Sequence, residues 1–144
     1  MLKTVLSPFA DRIYGVLRIV SGGVLLLAGA GKIFGLFGQQ ALSFKGAEQV
    51  YIGGLIEIVG GLAITLGLFT RCAAFVCSGM MAVAYWQFHV FANVSHAAGI
   101  YQYIPNTNGG MPAALLCFVY LYIACKGGGQ WSIDAKRERA SAGS

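Results

Sequence analysis

Glu57, Lys32 and His89 put an acid, an amine and an imidazole inside stretches that are otherwise apolar. A mid-helix acid in a membrane costs about 2.5–3.5 kcal/mol on insertion scales. Such a residue faces the protein interior and finds a partner, so its default reading is a functional site. Glu57 sits in Ile52-Gly-Gly-Leu-Ile-Glu57-Ile-Val-Gly-Gly-Leu62. On a helix, Gly53, Gly54, Gly60 and Gly61 share its face. That smooth strip lets a second helix come close. Opposite charges in a low-dielectric interior lower each other's cost, which makes Lys32 the expected partner of Glu57. Histidine changes charge near neutrality, which suits His89 to relaying protons. Asn108 is expected at a similar depth. Glu57, Lys32 and Asn108 then form either a register-fixing polar network or part of a redox site. Trp86, Phe88 and Phe91 read as packing aromatics or as one wall for a quinone ring, because ligand pockets are mostly apolar with few polar groups. Glu57, Lys32 and His89 are thus the candidate catalytic groups. Glu57, Trp86, His89 and Asn108 are the candidate quinone contacts. No metal site is expected. The four cysteines form no Cys-x-x-Cys pair, and His89 and His96 straddle a helix end.

The elements that must carry these groups follow from composition. The 144 residues are 57% hydrophobic and only 10% charged, with mean hydropathy +0.69. Soluble domains carry about 25% charged residues, so this chain reads as an integral membrane protein in contact with a lipid bilayer. Four apolar spans are expected, over about 13–37, 50–69, 72–94 and 111–125. They predict an all-α, four-helix membrane bundle and one membrane domain over residues 1–144. The net charge of +5 does not point to nucleic acid, because the basic residues cluster at the ends of the apolar runs. Lys3, Arg12, Arg18, Arg71, Lys126, Lys136, Arg137 and Arg139 fall on one side, against Lys32 and Lys45 on the other. The positive-inside rule then puts both termini in the cytoplasm. Arg18 is expected to snorkel to the headgroups on that side. Glu57 lies about 10 Å, and Lys32 and His89 about 7 Å, from the outer helix ends at 1.5 Å rise per residue.

Five segments in order resemble the DoxX family of small bacterial membrane proteins. Leu17-Arg-Ile-Val-Ser-Gly-Gly with Gly31-Lys-Ile-Phe-Gly35 is similar to its first helix. Gly53-Gly-Leu-Ile-Glu57-Ile-Val-Gly-Gly-Leu62 with Leu66-Gly-Leu-Phe-Thr-Arg71 is similar to its second. His89, Asn108-Gly-Gly110 and Gly129-Gln-Trp-Ser-Ile-Asp134 resemble its later landmarks. Two positions depart. Met111-Pro112 stands where the family commonly has an acid, and Ala28-Gly-Ala30 lacks a histidine that many members carry. The resemblance implies a four-helix protein of the bacterial inner membrane. It also implies a link to quinone-dependent sulfur oxidation or to thiol and oxidative-stress handling.

Two functions follow as expectations. In one, the chain is a redox-associated, quinone-linked membrane subunit, with Glu57 and Lys32 on the quinone oxygens and His89 relaying the proton. In the other it is a non-catalytic accessory subunit, held to other membrane subunits through its glycine-rich helix faces. The residues leave open whether the chain is an enzyme.

Overall fold

The structure, a computed structural model, describes residues 2–143, with side chains from Thr4 onward. The side chain of Lys3, one of the orienting charges above, lies outside them. The described residues are helical, without a strand. A short α1 (Leu2–Leu6) and a 3₁₀ turn lead into α2 (Ala10–Phe34). Then come α3 (Glu48–Leu66), α4 (Thr70–Ala84), α5 (Met111–Lys126) and α6 (Ile133–Ala142). Among the described residues, three continuous helical runs are long and apolar enough to cross a membrane: Thr4–Phe34, Glu48–Leu66 and Thr70–Phe91. The apolar α5, with Pro112 tolerated in its first turn, has 16 residues. Val59, Phe75 and Phe118 point outward at 66% exposure or more, as lipid-facing side chains do. The protein is a multi-pass membrane protein.

Two antiparallel pairs build the bundle. α2 packs closely on α3, and α4 on α5, while α3 and α4 meet more loosely. Glycines explain the first pair. A Cβ on Gly61 would lie 2.5 Å from the Leu26 amide nitrogen, and one on Gly29 would lie 2.6 Å from the Gly54 carbonyl. Real side chains do not fit there, so the backbones touch. Most of the strip around Glu57 is therefore consumed inside the chain: Gly54, Gly60 and Gly61 are buried. Gly53, with Gly23 and Gly79, stays open. The core between the pairs holds Leu25, Ile64, Cys77, Met81 and Tyr120. The Tyr120 hydroxyl donates to the Ser21 carbonyl at 2.8 Å and ties α5 to α2.

At the end of the bundle where α2 starts, charged side chains cap helices other than their own. Arg18 does not snorkel. It is fully buried, and its guanidinium donates to the carbonyls of Ile64 and Thr65 at 2.6 and 2.7 Å. It also reaches those of Gln130 and Trp131 at 3.3 and 3.1 Å. The carbonyls that end α3 carry the negative pole of its dipole, so they supply what headgroups would have supplied. Arg71 does the same for the last carbonyls of α5, Ala124, Cys125 and Lys126. Gly67 leaves α3 at φ +69°, and a Cβ there would lie 3.0 Å from an Arg18 nitrogen.

Asp134 caps the positive end of α4. Its carboxylate accepts the Phe69 N–H at 3.0 Å, the Thr70 N–H at 2.8 Å and the Thr70 hydroxyl at 2.7 Å. Partial burial pushes this carboxyl up. The bonds from Thr70 and Phe69, with Arg137 nearby, outweigh that and hold it below its ordinary value of 3.8. A depressed carboxylate stabilises the fold above the ordinary aspartate range, and that stability is lost as pH falls through the folded value. In detergent melts, wild type is therefore expected to outlast Asp134→Asn at neutral pH. The gap should close on acidification below 3.8. A gap that ignores pH would show that the charge of Asp134 plays no part.

Candidate functional site

The opposite end of the bundle gathers the other polar groups. Lys32 Nζ donates to Glu57 Oε1 at 2.6 Å and joins α2 to α3. The Glu57 side chain is 6% exposed and that of Lys32 36%, so the amine reaches outside while the acid does not. Glu57 Oε2 is buried and takes no hydrogen bond from any described residue. The contact of Gly29 against Gly54 and Glu57 Cβ is what presses the acid against α2.

His89 arrives by a different device. From Tyr85 to Phe91 the helix runs as a π-helix. Such turns are rare and are frequent at functional sites. His89 Nδ1 lies 3.0 Å from the Asn108 carbonyl oxygen. A carbonyl can only accept, so Nδ1 carries the hydrogen, and Nε2 of the neutral ring keeps its lone pair for another partner. The Tyr85 ring stacks on the imidazole, with centroids 6.5 Å apart.

Lys32, Glu57 and His89 line one cleft of about 580 Å³ between α3 and α4, together with Gln49, Met80 and Phe88. Two of the expected contacts are placed elsewhere. Asn108 does not join the Glu57–Lys32 pair. Its amide donates to the Gln102 carbonyl at 2.7 Å and its Oδ1 accepts the Gly110 N–H at 2.8 Å. It shapes the loop that offers His89 its acceptor. Trp86 is half exposed and lines a separate shallow cleft with Ala82 and Phe91, while Phe88 supplies the aromatic surface beside His89. The reason is azimuth: Trp86 and His89 share a helix but not a face once the π-turn shifts the register.

One feature of the site escaped the sequence reading. Gln49 and Gln87 exchange two amide hydrogen bonds, of 2.6 and 2.8 Å, and bridge α3 to the π-turn. The only sequence signal was a pair of glutamines near the same ends of neighbouring helices.

Comparisons with known proteins place the chain among others. The family model described as DoxX matches residues 14–90, from Tyr14 in α2 through α3 and α4 to Val90 in the π-helix, and so includes Lys32, Glu57 and His89. A Haemophilus influenzae protein described as uncharacterized is 35% identical over 133 residues, covering 91% of this chain and 95% of its own length. No solved structure matches the chain.

Proposed function

This chain belongs to the DoxX family, and from that premise we propose that it is a redox-associated membrane subunit that seats the head group of a lipid-soluble quinone between Lys32, Glu57 and His89. One observation carries the reading. A buried carboxylate has one oxygen on Lys32 and the other without a partner, in a cleft otherwise lined mainly by apolar side chains. Buried polar atoms are normally satisfied, and an unsatisfied one calls for an explanation. A quinone fits the donor set. Lys32 has three N–H donors and spends one on Glu57, so it can also donate to a quinone carbonyl. Glu57 Oε2 and His89 Nε2 are acceptors, suited to the hydroxyls of the reduced form. A quinone supplies two-electron, two-proton chemistry when bound. Glu57 and His89 then hold or pass the protons, and Asn108 acts as a positioning residue by fixing the His89 ring. The excess of basic residues on the side of the termini supports an inner-membrane protein with both termini cytoplasmic.

Glu57→Gln tests the reading. The amide keeps the shape, and Lys32, already partly exposed, tolerates losing its counter-charge. A hydrogen bond to a charged group contributes about 1.5–3 kcal/mol, so affinity for the reduced, quinol form of a short-chain quinone, whose hydroxyl donates to Glu57 Oε2, should fall about tenfold or more. Titration of the detergent-solubilised protein reads this. Unchanged affinity in a folded variant would sink the proposal.

An accessory role is the second reading. Gly23, Gly53 and Gly79 have open space where a Cβ would be, which leaves room for a foreign helix. Purification in a native detergent as a monodisperse chain with no companion subunit would count against it.

A further inference from the structure

The Lys32–Glu57–His89 cleft does not end at its polar groups. It shares Ile56 and Val76 with a second cleft of about 430 Å³, which runs on along the α3–α4 seam. That seam is the loose joint between the two tightly packed helix pairs. Leu55, Val59, Ala63, Ala73 and Val76 line its continuation, and no charged side chain does. From Gly53 to Ala63 the trough follows α3 for about 15 Å, at 1.5 Å per residue. Its rim faces outward: Leu55 is 43% exposed, Val76 54% and Val59 68%. At the loop end the two helices are instead bridged by the double amide bond of Gln49 and Gln87. The cavity is therefore latched where the loops begin and open along its flank.

We infer that the α3–α4 trough holds the isoprenoid tail of the same quinone, which enters sideways from the bilayer with its head towards Glu57 and its tail along Val59 and Ala63. The inference rests on the quinone reading of the Glu57 site. Two features select a lipid tail as the occupant. The trough is continuous with a cleft that carries a charged pair at one end, and its other walls offer a ligand no hydrogen-bonding side chain except the weak thiols of Cys72 and Cys77. An amphipathic molecule with one polar head and one long apolar chain matches that polarity. Bilayer tails are as apolar as the trough, so burying the chain adds little affinity. What the trough adds is position: it aims the head at Glu57 and His89.

The test therefore reads location rather than affinity. The full-length protein in nanodiscs of bacterial polar lipid is labelled with a long-chain quinone carrying a diazirine on its tail, and the adducts are mapped by mass spectrometry. Labelling is expected on Val59, Ala63 and Val76, and excess short-chain quinone should displace it by competing for the head site. Ala63→Phe and Ala73→Phe fill the trough from opposite walls. Each should lose that labelling while still binding short-chain quinone, which also reports that the variant is folded. If short-chain quinone binds but the label spreads over other lipid-facing positions such as Val20 and Phe118, the tail assignment fails and the head site stands. If short-chain quinone does not bind wild type, the head-site reading falls and takes this inference with it. If the trough variants change the oligomeric state and leave the labelling intact, the seam is a seat for another helix and the inference is overturned.

Discussion

Arg18→Lys is expected to destabilise the protein nearly as much as Arg18→Met, despite keeping the charge. The guanidinium reaches four carbonyls from two segments, Ile64 and Thr65 at the end of α3 and Gln130 and Trp131 before α6. A lysine amine has three donors on one atom and cannot span that fork. Ile64 keeps a bond from the Gly67 N–H at 3.1 Å, so its loss is partial. Thr65, Gln130 and Trp131 lose their guanidinium donor. A buried polar group left without its partner costs about 1–3 kcal/mol, and the carbonyls of the exposed Gln130 and Trp131 less, so either substitution should remove about 1–3 kcal/mol. No carboxylate lies within ion-pair distance of Arg18 among the described residues. Its positive charge is met by the negative end of α3 instead. Thermal unfolding in detergent reads the result. A melting point for Arg18→Lys equal to wild type would show that charge, not the fork, matters. Because Arg18 joins α2, α3 and the 129–132 loop, its loss should also free α6. Proteolysis at the tail would report that.

Arg18 also shows what kind of information the sequence holds. Position along a span converts directly into depth, because a helix rises a fixed distance per residue. Depth brought Lys32, Glu57 and His89 to one level, and with only one amine near one acid, charge pairing named the contact. The helical class and the membrane character were legible in the same way, from apolar runs and sparse charge. Depth is a single coordinate, and the errors lie in the others. Distance from the membrane boundary alone puts Arg18 among the headgroups. The decisive fact was that residues 129–134 fold back over that end of the bundle and present carbonyls to it, a long-range contact with no local signature. Asn108 stands at the expected level but turns into its own loop. Trp86 stands beside His89 in the chain and faces elsewhere, because Tyr85–Phe91 winds as a π-helix. Nothing in residue type separates that winding from an α-helix. The glycine strip was legible as a close contact, but not which neighbour it served. The structure spends Gly54 and Gly61 on α2 and Gly60 on Cys77 of α4, and leaves Gly53 open.

Lys32→Met should cost more stability than Glu57→Gln, although both break the same ion pair. The asymmetry follows from exposure. Glu57 is 6% exposed and Lys32 36%, so removing the amine strands a buried charge, whereas removing the acid leaves an amine that reaches solvent or headgroups. Breaking a buried pair from one side costs about 3–5 kcal/mol, and much of that is the stranded partner. Lys32→Met should fall near that range, and Glu57→Gln well below it. The double variant Lys32→Met with Glu57→Gln should then be more stable than Lys32→Met alone, because it removes the stranded charge. Unfolding of the three variants in a graded detergent series gives the coupling between the two sites. Additive losses would mean that the pair is solvated and the cleft wet. A second readout separates the structural part of the pair from its proposed work. If the pair is only a clasp, the double variant recovers stability and nothing else is at stake. If Glu57 and Lys32 hold a quinone head, that recovered fold should still fail to bind a short-chain quinone. Stability regained while the quinone binding of the wild type is lost is the result that a site predicts and a clasp does not.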